Sequence, residues 1–293
     1  MIFNSELFKK FILPDCNRAD FIISELKKNG IDAVLLPFEG KNHIYVKFPQ
    51  SSYNPSFRIK TVIAHYDRMP DTPGANDNSF AVFCLIEFAK ILNNPSFVHN
   101  IRLIFTDGEE LSESGIENQG AFLLAKTFRR LKITDDFIFV FDCMGRGTIP
   151  ILAKTFYSQK LNSVFKKKFF QLETKATKLI SSATGKYLTL PVGYSDNAGF
   201  LAQGLYAVAI TMLPENEANL FLYNLIKNPK LEQFVLHNTK NFTEKEKSEC
   251  EKMLPYTWNL FHTQNDNFSS ITMESFSIFM KILFSLAKET ILF

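Results

Sequence analysis

Apolar positions along the chain follow two periods, one helical and one extended, and the periods alternate. Between residues 17 and 29, Phe21, Ile22 and Leu26 recur at helical spacing, and Gly30 follows where a helix is commonly closed by a residue free to adopt positive φ. Residues 42–48 and 57–65 read instead as β-rich runs, the second apolar enough to be buried on both faces like a central strand. A turn-rich stretch, 68–75, leads to Asn78, a cap for a helix through Phe80, Phe83, Leu85, Phe88 and Leu92, and then to a buried strand over 101–105 that runs toward Asp107. A helix near 120–131 precedes a strand at 137–141, and a helix near 195–201 precedes a strand at 205–213. The pattern predicts an α/β protein, a three-layer α/β/α sandwich with a central mixed, mostly parallel sheet.

The rhythm breaks once. Residues 214–261 mix short helical patterns with a charged stretch at 244–252, which reads as a lid or subdomain inserted into a single domain spanning 1–293. The apolar segment 271–293 carries Glu274, Lys281, Lys288 and Glu289, too closely spaced for a membrane-spanning run of about 20 apolar residues, and reads as a C-terminal core helix.

Composition adds exclusions. Apolar residues at 46% and charged residues at 22% suit a globular chain and exclude disordered and fibrous architectures. A formal charge of +3 leaves attraction to nucleic acid or a membrane surface to local patches, and the short clusters at Lys166, Lys167 and Lys168 and at Lys240, Lys245 and Lys247 read as solvated faces. Neither partner is expected. Cys16, Cys84, Cys143 and Cys250 match no metal-finger or disulfide spacing, and the first residues lack the layout of a secretion signal, so a cytoplasmic protein with reduced thiols is expected.

The strands end in chemistry. The run to Ala64 meets His65, Tyr66 and Asp67; the run to Phe105 meets Asp107, Gly108, Glu109 and Glu110; the run to Phe141 meets Asp142. In open α/β sheets, ligands bind beyond the carboxyl ends of strands. Each residue alone reads blandly: Asp77 as a turn, the acidic pair as a solvated loop, and His43, His99 and His237 as structural histidines. Together they fit two metal ions sharing one carboxylate. Asp77 can bridge, with His65 and Asp142 on one metal and Glu110 and His262 on the other. Glu109 is the candidate general base, and Asp67 faces the same side as His65 and can orient its second nitrogen.

The segments AHYD at 64–67, GANDN at 74–78, TDGEE at 106–110, FDCMG at 141–145, SDNAGF at 195–200 and FHTQND at 261–266 resemble, in order, the motifs of the co-catalytic zinc aminopeptidases, metallopeptidase family 28, which also includes glutaminyl cyclases. The resemblance runs over about residues 15–290. It implies an α/β/α sandwich, two zinc ions, a peptide substrate with a free N-terminus and hydrolysis by a metal-bound hydroxide, with the ligand roles above and Glu109 as base. It adds substrate-binding roles for Asp196, the acid of the SDNAGF motif, and for Tyr194, a hydrogen-bond donor to the developing oxyanion. Asn197 departs from the histidine usual in the family, GEELSESG at 108–115 departs from the usual continuation, and the insertion before His262, with Trp258, is atypical. On the same scaffold a glutaminyl cyclase would use one zinc and convert N-terminal glutamine to pyroglutamate, although Phe261 stands where such enzymes carry tryptophan. A non-catalytic relative would have lost ligands or the base, and this chain keeps them.

Overall fold

The computed structural model describes residues 3–110, 115–155 and 163–293. Its strands are, in chain order, β1 (Asp32–Phe38), β2 (Lys41–Lys47), β3 (Lys60–His65), β4 (Ile101–Thr106), β5 (Phe137–Phe141), β6 (Ile149–Ala153), β7 (Leu188–Leu190) and β8 (Tyr206–Leu213). The helices are α1 (Ser5–Phe11), α2 (Arg18–Lys28), α3 (Phe80–Leu92), α4 (Gly120–Arg130), α5 (Ser163–Thr184), α6 (Asp196–Ala202), α7 (Glu215–Lys227), α8 (Pro229–Val235), α9 (Glu244–Glu251) and α10 (Met273–Lys288).

The strands form one sheet in the order β1-β2-β4-β3-β5-β8-β6-β7, with β4, β3, β5 and β8 mutually parallel in the middle. Alternation along these strands sorts the side chains into two cores. Val62, Leu103, Phe105, Phe139 and Ile210 face one side, where α1, α2, α3, α5 and α10 pack. Ile63, Ile104, Ile138, Val140 and Ala209 face the other, under α4 and α6. Both faces are covered, which is why these strands read as unbroken apolar runs, and the three expected layers are present. Each fully buried Phe or Leu contributes about 1.5–3 kcal/mol of transfer free energy.

Other expectations need correction. β3 begins at Lys60; Phe57 makes only an isolated antiparallel bridge to Leu292. Buried Lys60 donates from Nζ to the carbonyls of Leu286 (2.8 Å), Ala287 and Glu289, satisfying the C-terminal end of α10. Asn78 is not a helix cap, because its side chain is committed to β5 and the residues after it. The helix α5 and the strands β1, β6 and β7 are elements beyond those expected, and β6 runs antiparallel to β8.

After β8 the helices α7, α8 and α9 gather Ala218, Phe221, Leu231, Val235 and Cys250 around Ile149, Ile151, Leu190 and Leu213 in a third, smaller core. These helices thus pack on the β8-β6-β7 edge of the sheet. Among the described residues no helix is long and apolar enough to cross a membrane, and all four cysteines are free.

Candidate active site

The chain runs from β3 through α3 to β4 on one side, then through α4 to β5 on the other, so the strand order reverses about β3. A crevice opens at the carboxyl ends of strands that diverge in this way. His65 ends β3, the Asp107–Glu110 run follows β4, and Asp142 follows β5. Asp77 reaches the same rim from the turn between β3 and α3, and His262 reaches it from the connection between α9 and α10.

The distances define two triads that share Asp77. His65 Nε2 lies 3.3 Å from Asp77 Oδ1 and 3.4 Å from Asp142 Oδ1. His262 Nε2 lies 3.4 Å from Asp77 Oδ2 and 3.0 Å from Glu110 Oε2. In each triad the candidate donor atoms all lie within 4.8 Å of one another. Atoms bound tetrahedrally to zinc at roughly 2.0–2.1 Å stand about 3.3–3.4 Å apart, so the spacing fits a metal. Neither ring nitrogen of fully buried His65 has a hydrogen-bond partner, the condition of an imidazole awaiting a ligand. All five sequence-derived metal candidates therefore meet at one rim.

Asparagines on either side of Asp77 hold it there. Asn76 Oδ1 accepts from Gly145 N (2.7 Å), while Asn78 donates to Phe141 O (2.9 Å) and accepts from Cys143 N (3.1 Å). Asp266 completes the clamp, its two carboxylate oxygens accepting from the amides of Asn76 (2.8 Å) and Asp77 (3.0 Å). This couples the loop of His262 to the turn of Asp77. Gly74 opens the turn at φ +54, and a Cβ there would stand 2.5 Å from Asp77 O, so the GANDN motif requires its glycine.

Asp67 and Glu109 surround the triads differently. Asp67 Oδ1 is 3.6 Å from His65 Nδ1, beyond hydrogen-bond distance, and Oδ2 accepts from Glu110 N at 2.9 Å. Asp67 thus stands beside the ring nitrogen of His65 that faces away from the triad. Glu109 lines the cavity beside Asp77, Asp142 and His262. Burial, reinforced by Asp142, Asp196 and Asp77 against the opposing pull of His65, raises its affinity for protons well above the ordinary range. Burial alone would lower the pKa of His65, but Asp142, Asp67 and Asp77 carry it well above the ordinary value. Hydrogen bonds to Asp77 and Glu110 raise His262 to about 10. A metal held by His65, Asp77, Glu110, Asp142 and His262 would take the place of those protons.

A cavity of about 430 Å³ opens over the acids, walled by Val192, Ile210, Phe234, Leu254, Trp258 and Phe261. Tyr194 lines it with its side chain largely in solvent, stacked on His237 with ring centroids 6.2 Å apart. His237, read from sequence as structural, is therefore a cavity residue. His43 and His99 match their bland reading, since each is buried with Nδ1 accepting a backbone amide. Asp196 does not reach the cavity wall: it is fully buried, accepts a hydrogen bond from the Thr106 hydroxyl, and burial pushes its pKa up to about 7. Asn197 lines a neighbouring cavity, and Leu111 to Ser114 of the GEELSESG stretch lie outside the described residues. Asp266 and Asn76 are residues that reading by motif leaves without a role, and Asn78 reads there only as a cap. The signal for the two asparagines is that polar side chains crowd the turn at 76–79.

An α/β/α sandwich that gathers two imidazole–carboxylate triads around one carboxylate has the architecture of a metallopeptidase. The chain belongs to peptidase family M28, whose model matches residues 43–287. Aminopeptidase YwaD of Bacillus subtilis is 33% identical over 93 residues, 32% of this chain and 20% of that protein, so the match spans about a fifth of the relative's length. A Zn-dependent exopeptidase from Parabacteroides distasonis superposes with a TM-score of 0.60 at 16% identity, covering 99% of both chains. The glutaminyl cyclase of Porphyromonas gingivalis superposes with a TM-score of 0.61 at 14% identity, covering 97% of this chain and 98% of that one. At such identities the structural likenesses establish the fold.

Proposed function

We propose that the protein is a zinc-dependent aminopeptidase that removes residues from the free N-termini of peptides. The observation that carries this reading is Asp77, whose two oxygens face two different imidazoles, His65 and His262, as a carboxylate shared by two metal ions requires. Zinc held by His65, Asp77, Glu110, Asp142 and His262 supplies Lewis acidity toward the scissile carbonyl and toward water. Glu109, which lines the cavity beside these donors, would as carboxylate take a proton from the attacking water and give it to the departing amine as the C–N bond breaks and the new C–O bond forms. Tyr194, on the cavity rim, is the donor to the oxygen that gains negative charge. The segment 214–261 acts as a lid wall over this cavity through Phe234 of α8 and through His237, Leu254 and Trp258 on its connections.

The cavity favours an apolar first residue, because its wall away from the acids offers methyl, methylene and ring surface. Peptides beginning with Leu or Phe are expected to be cleaved at least roughly tenfold more efficiently than those beginning with Gly, Glu or Lys, measured as kcat/KM with the zinc-loaded protein. Equal rates across the panel would remove the apolar-pocket reading, and release of no amino acid from any unblocked peptide would remove the aminopeptidase reading.

The second reading is glutaminyl cyclase, because the Porphyromonas gingivalis cyclase shares this fold from end to end, as the Parabacteroides distasonis exopeptidase does. Gln-peptides separate the two. Free glutamine marks hydrolysis, and ammonia with a blocked peptide marks cyclisation.

A further inference from the structure

The loop between β3 and α3 carries Asp67 at one end and Asp77 at the other, and has no regular structure between residues 66 and 74. Its carbonyls need donors from elsewhere. One side chain supplies three of them, at both ends of the loop. Arg18, in the first turn of α2, is 6% exposed, and its Nη1 donates to Tyr66 O (3.0 Å) and Asp67 O (3.2 Å), while Nη2 donates to Pro73 O (2.8 Å) and Ser79 Oγ (2.6 Å). The guanidinium sits over the Phe11 ring, 5.0 Å from its centroid. The loop returns an arginine of its own: Arg68 donates to Ile12 O (3.0 Å), Leu13 O (2.9 Å) and Pro14 O (2.8 Å). Two arginines thus cross between the N-terminal segment and the loop.

We propose that Arg18 is a positioning residue of the metal centre, fixing the separation of the two loop ends so that Asp67 faces His65 while Asp77 reaches both imidazoles. This rests on the reading of Asp77 and His65 as metal ligands. Arg18 lies outside residues 43–287, so the segment that sets the geometry is not part of the stretch that defines the family. A planar fork is what the task requires. Its two terminal nitrogens grip the start and the end of the loop at once, whereas a lysine in the same place would offer a point charge with no fixed angle between its bonds. Charge contributes as well, because the guanidinium stands in the field of Asp67 and Asp77 and offsets part of their mutual repulsion. A brace of this kind acts on metal affinity and ligand field before it acts on turnover.

The test is zinc binding by the full chain, measured by competition with a chromophoric chelator, together with the visible absorption of the cobalt(II)-loaded protein. Arg18→Met is expected to weaken zinc binding by about 10–100-fold and to shift the cobalt bands, and Arg18→Lys to recover part of both. Addition of guanidinium at low millimolar concentration to a folded Arg18→Ala protein is expected to restore affinity. A folded Arg18→Met protein with unchanged zinc affinity and cobalt spectrum overturns the proposal, even if its unfolding temperature falls, because a purely structural brace does only that. Should the Arg18 variants not fold, Ser79→Ala removes one of the four acceptors; weaker zinc binding supports the proposal and unchanged binding overturns it. Wild-type protein that takes up no zinc overturns the metal-centre reading itself, whereas wild-type uptake with indifferent variants overturns only the role of Arg18.

Discussion

The two halves of the site are built by different means. His65 and Asp142 stand at the ends of neighbouring central strands, and His65 is fully buried, so the sheet itself sets their separation. Glu110 and His262 stand on connections; the His262 side chain is 53% exposed and its backbone adopts φ +59, a conformation that costs a non-glycine residue about 1–2 kcal/mol. What the sheet does for one half, side-chain bonds to backbone do for the other. Asp266 ties the His262 loop to the Asp77 turn, and Asp67 receives the amide of Glu110. Equivalent donor distances thus arise from a rigid scaffold on one side and from a clasp on the other.

The largest effect expected separates chemistry from metal holding in both halves. Glu109→Gln should lower kcat by about 10²–10⁴-fold while metal content by elemental analysis stays that of the wild type. Metal loss in that variant would mean that Glu109 is a ligand and that the two-triad description is incomplete.

A smaller effect probes the clasp. Asp266→Ala frees the amides of Asn76 and Asp77 and should weaken metal binding by about 10–100-fold, with the loss falling mainly on the His262 half. Equal losses from both halves, followed by cobalt absorption during titration, would show that Asp77 transmits the change and that the halves are not independent.

The smallest effect concerns the wild type. Stepwise chelation should empty the loop-built half first, because the His262 side chain is half exposed to competing water and chelator whereas His65 is fully buried. Simultaneous release would remove the distinction between scaffold and clasp.

The strand-built half is also the more legible in sequence. Unbroken apolar runs such as FIFVF at 137–141 end at a polar residue, and both the strand and the placement of Asp142 follow from burial on two faces. The edges of the sheet were less legible. β7 is three residues long, β6 carries Pro150, and β1 lacks a buried face, so none shows a strong period. The helix α5 did carry its stripe, at Phe165, Phe169, Leu172, Ala176 and Leu179, but the adjoining lysines drew the reading toward a solvated segment. In the site, motif order sufficed for the donors. It could not reveal Asn78, whose local sequence favours a cap, or Asp266 and Arg18, whose partners are backbone groups far along the chain and leave no periodic trace.

The clasp also has a consequence in time. His65, Asp77, Glu110 and Asp142 are all synthesised well before His262, and Asp266, which receives the amides that shape the Asp77 turn, comes later still. A chain emerging from the ribosome therefore holds most of its metal donors without the residues that complete the second triad and lock the shared carboxylate. Assembly of the centre waits until residues 262–266 have been translated, and no fragment that ends before them can contain it.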